Sequence, residues 1–325
     1  MVPLSAMQRA LHDVLARADQ ESERAVRAAQ YAQRHEELAA GPGPLLELHS
    51  KMAATHRRTE RRHLAAVRMH GAYAGRLRAW IDLAGREPGE GGEPGPGAAA
   101  GMQARPGVGS DLVLPSLMAA VAETAEVDSA AVTLFGPDRM ETLVVASDAC
   151  AKAAQDLEFT LGQGPAREAL SAPGPVLASG DALSEQWPAY GPAVMRLGIR
   201  SLAAVPVEVT GVRLGALTVF EPRERSSGPL GAGSLEQVRA VADSLAALVF
   251  LESGPLGLDR NAARYSFFTQ ADHRSLVHQA VGVVCAQTGC APGDSLDLLR
   301  ARAFADSRSI DEVAGDVVEH RLYLR

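Results

Sequence analysis

The sequence lacks the cysteine content of disulfide-rich proteins and the long apolar runs of membrane-spanning proteins. Its 325 residues include three cysteines, an odd number that does not make a disulfide framework. No uninterrupted apolar stretch approaches the ~18–20 residues that a membrane span needs. The first twenty residues carry acids early and have no apolar signal core. These absences predict a cytoplasmic protein, with no membrane partner, whose length allows about two domains with proper cores.

Lysine is almost missing, and the charges are unevenly distributed. Only Lys51 and Lys152 are lysines among the 32 basic residues. Residues 112–253 carry 9 Lys and Arg against 17 Asp and Glu, which argues against nucleic-acid binding in the middle of the chain. Residues 1–87 carry 14 against 10, and residues 254–325 carry 8 against 9. Any basic surface must therefore come from locally clustered arginines.

Catalytic motifs are also missing from the middle of the chain. Residues 112–253 contain no histidine, which excludes a Ser-His-Asp or Cys-His nucleophile and a histidine-ligated metal or haem there. Neither GxxxxGK[ST] nor a GxGxxG after a strand occurs. The amides of "LGQGPAREAL" (161–170) could bind an anion, although a plain turn with proline at the first helical position explains them equally well. We therefore predict no enzymatic activity, no cofactor and no metal site.

The N-terminal part is predicted to be helical. Residues 1–85 lack strand-like alternation and break at Gly41–Pro44, which predicts a two-helix hairpin or a pair of coiled-coil segments. Residues 86–110 are rich in Gly, Pro and Ala and are predicted to be a flexible linker.

Four histidines recur every seven residues in the second helix: His49, His56, His63 and His70. A second series lies three residues further on: Met52, Thr59, Ala66, Tyr73 and Trp80. Together the two series predict a half-polar helix–helix interface with heptad spacing. Successive histidines would lie roughly 10 Å apart along one helix, too far to share a metal. A pH sensor and an interchain metal ladder remain the alternatives.

Residues 111–253 are predicted to form an α/β domain with a central antiparallel sheet. A helix over 112–127 precedes strands over 129–136 and 140–147, and a hairpin over 201–222 turns at Thr210–Gly211. Pro206 indicates an edge or a bulge in this hairpin. An amphipathic helix over 233–252 closes the domain.

Residues 260–325 are predicted to form three helices. Thr269, Asp294 and Ser309 are the expected N-caps, and Ser309 begins a capping box. The last helix is expected to run from Ile310 to Leu324. Cys285 and Cys290 are five residues apart, which suits neither zinc nor a CxxC redox pair, so both are expected in the core.

The middle of the chain resembles a GAF sensor domain of the type found in actinobacterial regulators. The resemblance rests on "LGQGPAREAL" (161–170) and on "WPAYGPAVMRLGIRSLAAVPVEVTGVRLGALTVF" (187–220). It implies a sensory sheet that faces a small molecule or a protein. A small-molecule effector is therefore a possible partner, and its identity stays open.

The C-terminal part resembles the ANTAR module, a three-helix RNA-binding domain of transcription antiterminators. The resemblance rests on "RSLVHQAVGVV" (274–284), "GCAPGDSLDLLRARA" (289–303) and "SIDEVAGDVV" (309–318). Val281 stands where the family has lysine, and Ser307 stands where it has asparagine. The resemblance, with the arginines near the end of the second helix, makes these the expected RNA-binding residues: Arg274, Gln279, Gly282, Arg300, Arg302 and Arg308.

Together these features predict a signal-responsive regulator, expected to be a homodimer, whose C-terminal module binds RNA hairpins and prevents transcription termination. The alternative is an interaction protein whose C-terminal module acts on a protein partner, which Val281 and the neutral tail favour. DNA binding by a helix-turn-helix is disfavoured, because the last helix carries acids that repel phosphates: Asp311, Glu312, Asp316 and Glu319.

Overall fold

The computed structural model describes residues 4–84, 117–136, 139–209, 211–222, 232–253, 274–306 and 308–324. The elements in these ranges are, in order, α1 Leu4–Ala40, α2 Leu46–Ala84, α3 Leu117–Ala125, β1 Ser129–Phe135, β2 Glu141–Ala146, α4 Ala149–Leu161, α5 Pro165–Ala169, β3 Val176–Ser179, α6 Ala182–Gln186, α7 Tyr190–Arg196, β4 Ser201–Val209, β5 Val212–Glu221, α8 Ala232–Ser253, α9 Ser275–Thr288, α10 Pro292–Asp306 and α11 Ile310–Val318. The predicted linker at 86–110 lies outside the described residues.

The first two helices form an antiparallel hairpin, as the break at Gly41–Pro44 predicts. His35 near the end of α1 contacts His49 near the start of α2, and Glu21 contacts His63 further along. At the far end of the hairpin, Met7 packs against Leu77 in a small apolar cluster. Later residues of α2 therefore contact earlier residues of α1, which shows that the two helices are antiparallel.

The histidine series lies in the interface between these two helices. The His35 ring stacks between the rings of His49 and His56, at centroid distances of 5.2 and 5.6 Å. His63 and His70 are buried further along. The predicted half-polar interface is thus present within one chain. The second series is less regular, since Met52 is exposed.

The middle of the chain contains a five-stranded sheet in the order β2-β1-β5-β4-β3, with every neighbouring pair antiparallel. The four strands predicted from the sequence are confirmed, whereas the short strand β3 was not predicted. Pro206 pairs with Ala216 of β5, next to a register shift after Val207. Because the pairing of β4 with β3 ends at Ala204, Pro206 lies where β4 has one open edge, in accord with its missing N–H.

Alternate residues of the strands enter two separate cores. Val132 and Val219 face α3 and α8, against which Met69 of α2 also packs. Ala131 and Phe220 face α4 and α7 on the opposite side of the sheet. Burial on both faces explains why the strands read as nearly continuous apolar runs.

The C-terminal helices form a third core, which contains the predicted stripes of α10 and α11. Ser309 caps α11 in a complete capping box, as predicted, but α11 ends at Val318 rather than at Leu324. The cap predicted at Asp294 is wrong, because α10 begins at Pro292 and Asp294 lies inside its first turn. Thr269 lies outside the described residues. None of the described helices is long and apolar enough to cross a membrane.

Only one of the two C-terminal cysteines is packed. Cys285 lies against the third core, with its Sγ 3.2 Å from the buried Ser295 hydroxyl. Cys290 is exposed, which corrects the expectation of two core cysteines. Its exposure follows from Gly289, whose left-handed backbone (φ 74°) ends α9 and turns the chain away from the core.

Candidate functional site

The C-terminal helices share their hydrophobic core with one side chain from the middle domain, Phe159. This residue lies near the end of α4, which begins after the capping Asp148 and ends at the left-handed Gly162. The Phe159 side chain is completely buried, and it lies among apolar residues of α9, α10 and α11 rather than in either core of the sheet. Phe159 therefore joins the middle domain to the C-terminal helices.

Two arginines of the C-terminal helices contact Phe159. The guanidinium carbon of Arg274 lies 4.5 Å from the centre of the Phe159 ring, and that of Arg300 lies 5.2 Å from it. Arg300 Nε also donates a hydrogen bond of 2.7 Å to the Phe159 carbonyl oxygen. Cations at these distances are attracted by the π electrons of the ring, and more strongly when water is excluded.

Arg274 is fully enclosed at this junction. Its side chain is 0% exposed, and its Nη1 lies 2.7 Å from Asp156 Oδ1 on α4. Arg274 immediately precedes α9, and its backbone is left-handed (φ 48°), which is unusual for a residue other than glycine. A buried charge needs an ionic partner, and Asp156 of the middle domain provides it.

A second ionisable residue, Glu158, is buried beside Phe159. Its carboxyl oxygens accept hydrogen bonds from the backbone N–H groups of Ala166 and Arg167, at 3.3 and 2.7 Å. These amides begin α5, where Pro165 occupies the first helical position. The turn in "LGQGPAREAL" therefore has proline at the first helical position and also holds a carboxyl group on its amides, and that carboxyl group is internal. A side chain at Gly164 would collide with Glu158, because a Cβ there would lie 2.6 Å from the carboxyl carbon.

Burial is the largest influence on the pKa values of the two buried carboxyl groups at this junction, those of Glu158 and Glu141. It raises the pKa of Glu158 to about 8, and the nearby Glu141 raises it as well, whereas the two amides lower it. Burial also raises the pKa of Glu141, while Arg274, Arg167 and Arg300 lower it. Arg167 Nη2 contacts Glu141 Oε1 at 3.1 Å. The cluster thus holds three guanidinium groups and two buried carboxyl groups in a region of low dielectric.

His278 of α9 adds one more contact across the junction. Its Nε2 lies 2.8 Å from the backbone carbonyl oxygen of Glu141 at the start of β2, so the ring donates a hydrogen bond in that tautomer. No group of His, Cys, Asp and Glu within the described ranges could hold a metal ion. What the cluster can do chemically is bind the C-terminal helices to the middle domain and respond to changes in charge.

The structure separates the residues that the sequence predicts to bind RNA. Arg274 and Arg300 lie at the junction, whereas Arg302 pairs with Asp306 of its own helix at 2.7 Å. Arg308 pairs with Asp316 at 2.7 Å. Gln279 and Gly282 are exposed on α9. Arg300 is thus separated in role from Arg302 and Arg308, because Phe159 occupies its guanidinium group.

Two positions depart from the ANTAR pattern, Val281 and Ser307. Val281 is only 5% exposed and belongs to the third core, so a lysine at this position would place a charge among apolar side chains instead of facing RNA. Ser307 lies outside the described residues. The junction also contains residues that the sequence did not indicate: Glu141, Asp156, Glu158, Phe159, Arg167 and His278. Glu158 was detectable, since it follows Ala151 and Ala154 at helical spacing on the buried side of α4.

A second feature is a cleft of about 260 Å³ between the helical hairpin and the middle domain. Four arginines and three carboxylates line it, and two of its ion pairs join α2 to α8: Arg58 with Asp243, and Arg61 with Glu236. The cleft has room for a small molecule. Its cations are largely neutralised by the carboxylates around them.

Comparison with known families identifies the middle domain. Residues 111–249 match the family model of the GAF domain. The chain contains a GAF domain. This confirms the resemblance seen in the sequence, and a GAF domain indicates a signal-sensing, regulatory role.

Comparison with solved structures and curated proteins adds little. One solved structure similar to this chain is described as a domain of a two-component sensor histidine kinase protein from Sinorhizobium meliloti 1021. It is 17% identical with a TM-score of 0.34, and the match covers 41% of this chain and 84% of that chain. None of the curated proteins matches this sequence.

Proposed function

We propose that the GAF domain controls a C-terminal RNA-binding module, residues 274–324, which binds RNA stem-loops and prevents transcription termination. The observation that carries the regulatory part is the position of Phe159, a GAF residue inside the core of the module. Because the two units share a core, a change in the GAF domain reaches the module directly. The RNA-binding part rests on the resemblance of α9, α10 and α11 to the ANTAR module. Two such modules of a homodimer would bind a pair of hairpins.

The exposed surface of the module supports RNA as its target. Phe304 on α10 is 71% exposed and lies two residues after Arg302. Exposed aromatic rings and guanidinium planes can stack on the unpaired bases of RNA loops. Gln279 and Gly282 on α9 are exposed as well. The low net charge predicts that phosphate contacts supply only a small part of the affinity.

The test is a mobility-shift titration of the full chain with a pool of RNAs that each carry two short tandem hairpins. Arg302→Ala and Arg308→Ala should each weaken binding by about 1–2 kcal/mol, the cost of losing a hydrogen bond to a charged group. Arg196→Ala, an exposed GAF arginine on α7, is the matched control and should bind like the wild type. With two phosphate contacts, the logarithmic salt slope should be roughly −1.4. The absence of any shift at low salt would contradict RNA binding.

A second candidate is a module that acts on a protein partner. It is favoured by the ion pairs on the exposed side of the module, where Arg308 and Arg321 both bind Asp316 and Arg302 binds Asp306. Arginines that are already neutralised attract phosphates weakly. The same exposed Phe304 would then be an anchor in a protein interface. The RNA titration separates the two candidates, since this one predicts no shift.

The effector of the GAF domain remains a prediction. The cleft lined by Arg58 and Arg213 offers space beside the sheet, and a bound molecule there would contact both α2 and the GAF domain. We propose no enzymatic activity for this chain.

A further inference from the structure

Phe159 and its two arginines determine which surfaces of the module are accessible. The Arg274 side chain is 0% exposed and that of Arg300 is 13% exposed, whereas that of Arg302 is 47% exposed. A partner that approaches from solvent can therefore reach Arg302 but not Arg274. Both enclosed guanidinium groups are held by GAF residues, namely Phe159 and Asp156.

From this arrangement we infer that the GAF domain inhibits the module by direct docking, with Phe159 as a plug between Arg274 and Arg300. Release of the plug would expose both arginines, and they would then be free to contact RNA. The inhibitory part of this inference rests on the proposed RNA-binding function, whereas the docking itself does not. Docking would be the means by which the GAF domain regulates the module.

The position of α4 gives the GAF domain a physical connection to the plug. Gln155 lies one turn before Phe159 on this helix, and its Oε1 accepts a hydrogen bond of 2.6 Å from the Thr133 hydroxyl on β1. Ala151 and Ala154 of α4 pack in the core on this face of the sheet, together with Tyr190. A change in that core therefore moves α4, and Phe159 moves with it.

The charges at the docking surface favour a reversible contact. Opening a purely apolar interface exposes apolar surface to water and only costs free energy. Opening this interface also lets the two guanidinium groups regain their hydration, which offsets part of that cost. Arg274 exchanges Asp156 for solvent or for an RNA phosphate, and Arg300 exchanges the Phe159 carbonyl oxygen for either. RNA and the GAF domain thus compete for the same two cations, which couples RNA binding to undocking.

Two substitutions on the GAF side test the docking while every predicted RNA-binding residue stays unchanged. Phe159→Leu keeps an apolar side chain in the core but removes the aromatic face. Asp156→Asn keeps the shape of the side chain but removes the partner of Arg274, and with it an ion pair to Lys152. Glu185→Gln removes one exposed charge of the GAF domain away from the module and is the matched control. Because the Asp156 side chain is 38% exposed, Asp156→Asn tests the proposal even if Phe159→Leu does not fold.

The full-length variants are compared in two measurements: hydrogen exchange of the amides in α9 and α10, and affinity for the pool of RNAs with two tandem hairpins. The inference predicts exchange that is faster by about tenfold in Phe159→Leu, which corresponds to about 1.4 kcal/mol. RNA affinity should rise by up to about tenfold, because the apparent Kd falls in proportion as the open fraction grows. Asp156→Asn should change both in the same direction, and Glu185→Gln should change neither.

Three other outcomes would each overturn one part of the account. Unchanged exchange in both variants would overturn the docking. Faster exchange with unchanged RNA affinity would overturn the inhibition. Faster exchange in proteins that bind no RNA at all would support the docking and overturn the proposed RNA-binding function instead.

Discussion

Arg300 binds Phe159 through two different atoms at once. Its Nε donates a hydrogen bond of 2.7 Å to the Phe159 carbonyl oxygen, and its guanidinium carbon lies 5.2 Å from the centre of the same residue's ring. Only a planar side chain with several donors can satisfy both contacts. The pair therefore explains why an arginine, and not a lysine, suits this position.

Arg300→Lys should weaken docking although it keeps the positive charge. The ammonium group cannot donate to the carbonyl oxygen and stack on the ring together, so the local free energy of opening should fall by about 1 kcal/mol. Hydrogen exchange in α10 measures this change. Arg302→Lys on the same helix, where the arginine is exposed and pairs with Asp306, is the control. Equal effects of the two substitutions would show that the geometry of Arg300 is unimportant.

Glu158 should make the stability of the chain fall as pH rises. Burial raises its pKa from the ordinary 4.5 to about 8, so the folded chain binds more protons than the unfolded chain between these values. The contribution of this group to stability is therefore fully present below pH 4.5 and is lost as pH rises towards 8. Glu158→Gln, which cannot ionise, should reduce the difference between urea midpoints measured at about pH 5 and about pH 8.

Glu141 contributes with the same sign, since burial also raises its pKa, so part of the pH dependence should remain in Glu158→Gln. The exposed Glu185→Gln should keep the full wild-type dependence. A steeper dependence in Glu158→Gln would mean that the buried carboxyl group is ionised in the folded chain.

His70 should make the helical hairpin less stable in acid. Burial lowers its pKa from 6.5 to about 4, and Arg17 of α1 lowers it further while Glu21 raises it. The unfolded chain thus binds a proton that the folded chain does not, so the stabilisation present above pH 6.5 is lost as pH falls towards 4. The protection factors of the amides in α1, which remove the pH dependence of intrinsic exchange, should therefore fall across this window. His70→Leu should remove part of the effect, and the exposed His12→Gln should not.

The three free cysteines should differ in reactivity. Cys290 is exposed and should react first with a thiol reagent, whereas Cys285 packs against the module core. Burial and then Asp148 raise the pKa of Cys150, which slows its reaction. Cys290→Ser should change stability by less than about 0.5 kcal/mol, and Cys285→Ser should cost about 1 kcal/mol. Urea unfolding measures both, and equal costs would contradict the packing of Cys285.

Much of the fold was predictable, because local signals determine it. The break at Gly41–Pro44, the turn at Thr210–Gly211 and the capping box at Ser309 each correspond to an observed boundary between elements. The short strand β3 was missed, since its four residues carry no alternation that sets them apart from a loop. The GAF domain was recognisable from its motifs.

The candidate site was much less predictable. Arg274 and Arg300 were chosen as RNA-binding residues, and the sequence gives no sign that both would contact Phe159, more than a hundred residues away. Such a contact arises from how the units pack, which no local pattern encodes. The burial of Val281 has the same cause: the periodicity of α9 places it near a buried stripe, but only the packing of α11 against α9 encloses it.

Cleavage between the GAF domain and the module tests the central claim most directly. A specific protease site inserted between residues 254 and 273 would separate α8 from α9 in the intact chain. If the Phe159 contact holds the module, the two fragments should elute together in size-exclusion chromatography at micromolar concentration. They should separate in the doubly substituted chain with Phe159→Leu and Asp156→Asn. Separation of the wild-type fragments at every concentration would contradict docking through Phe159.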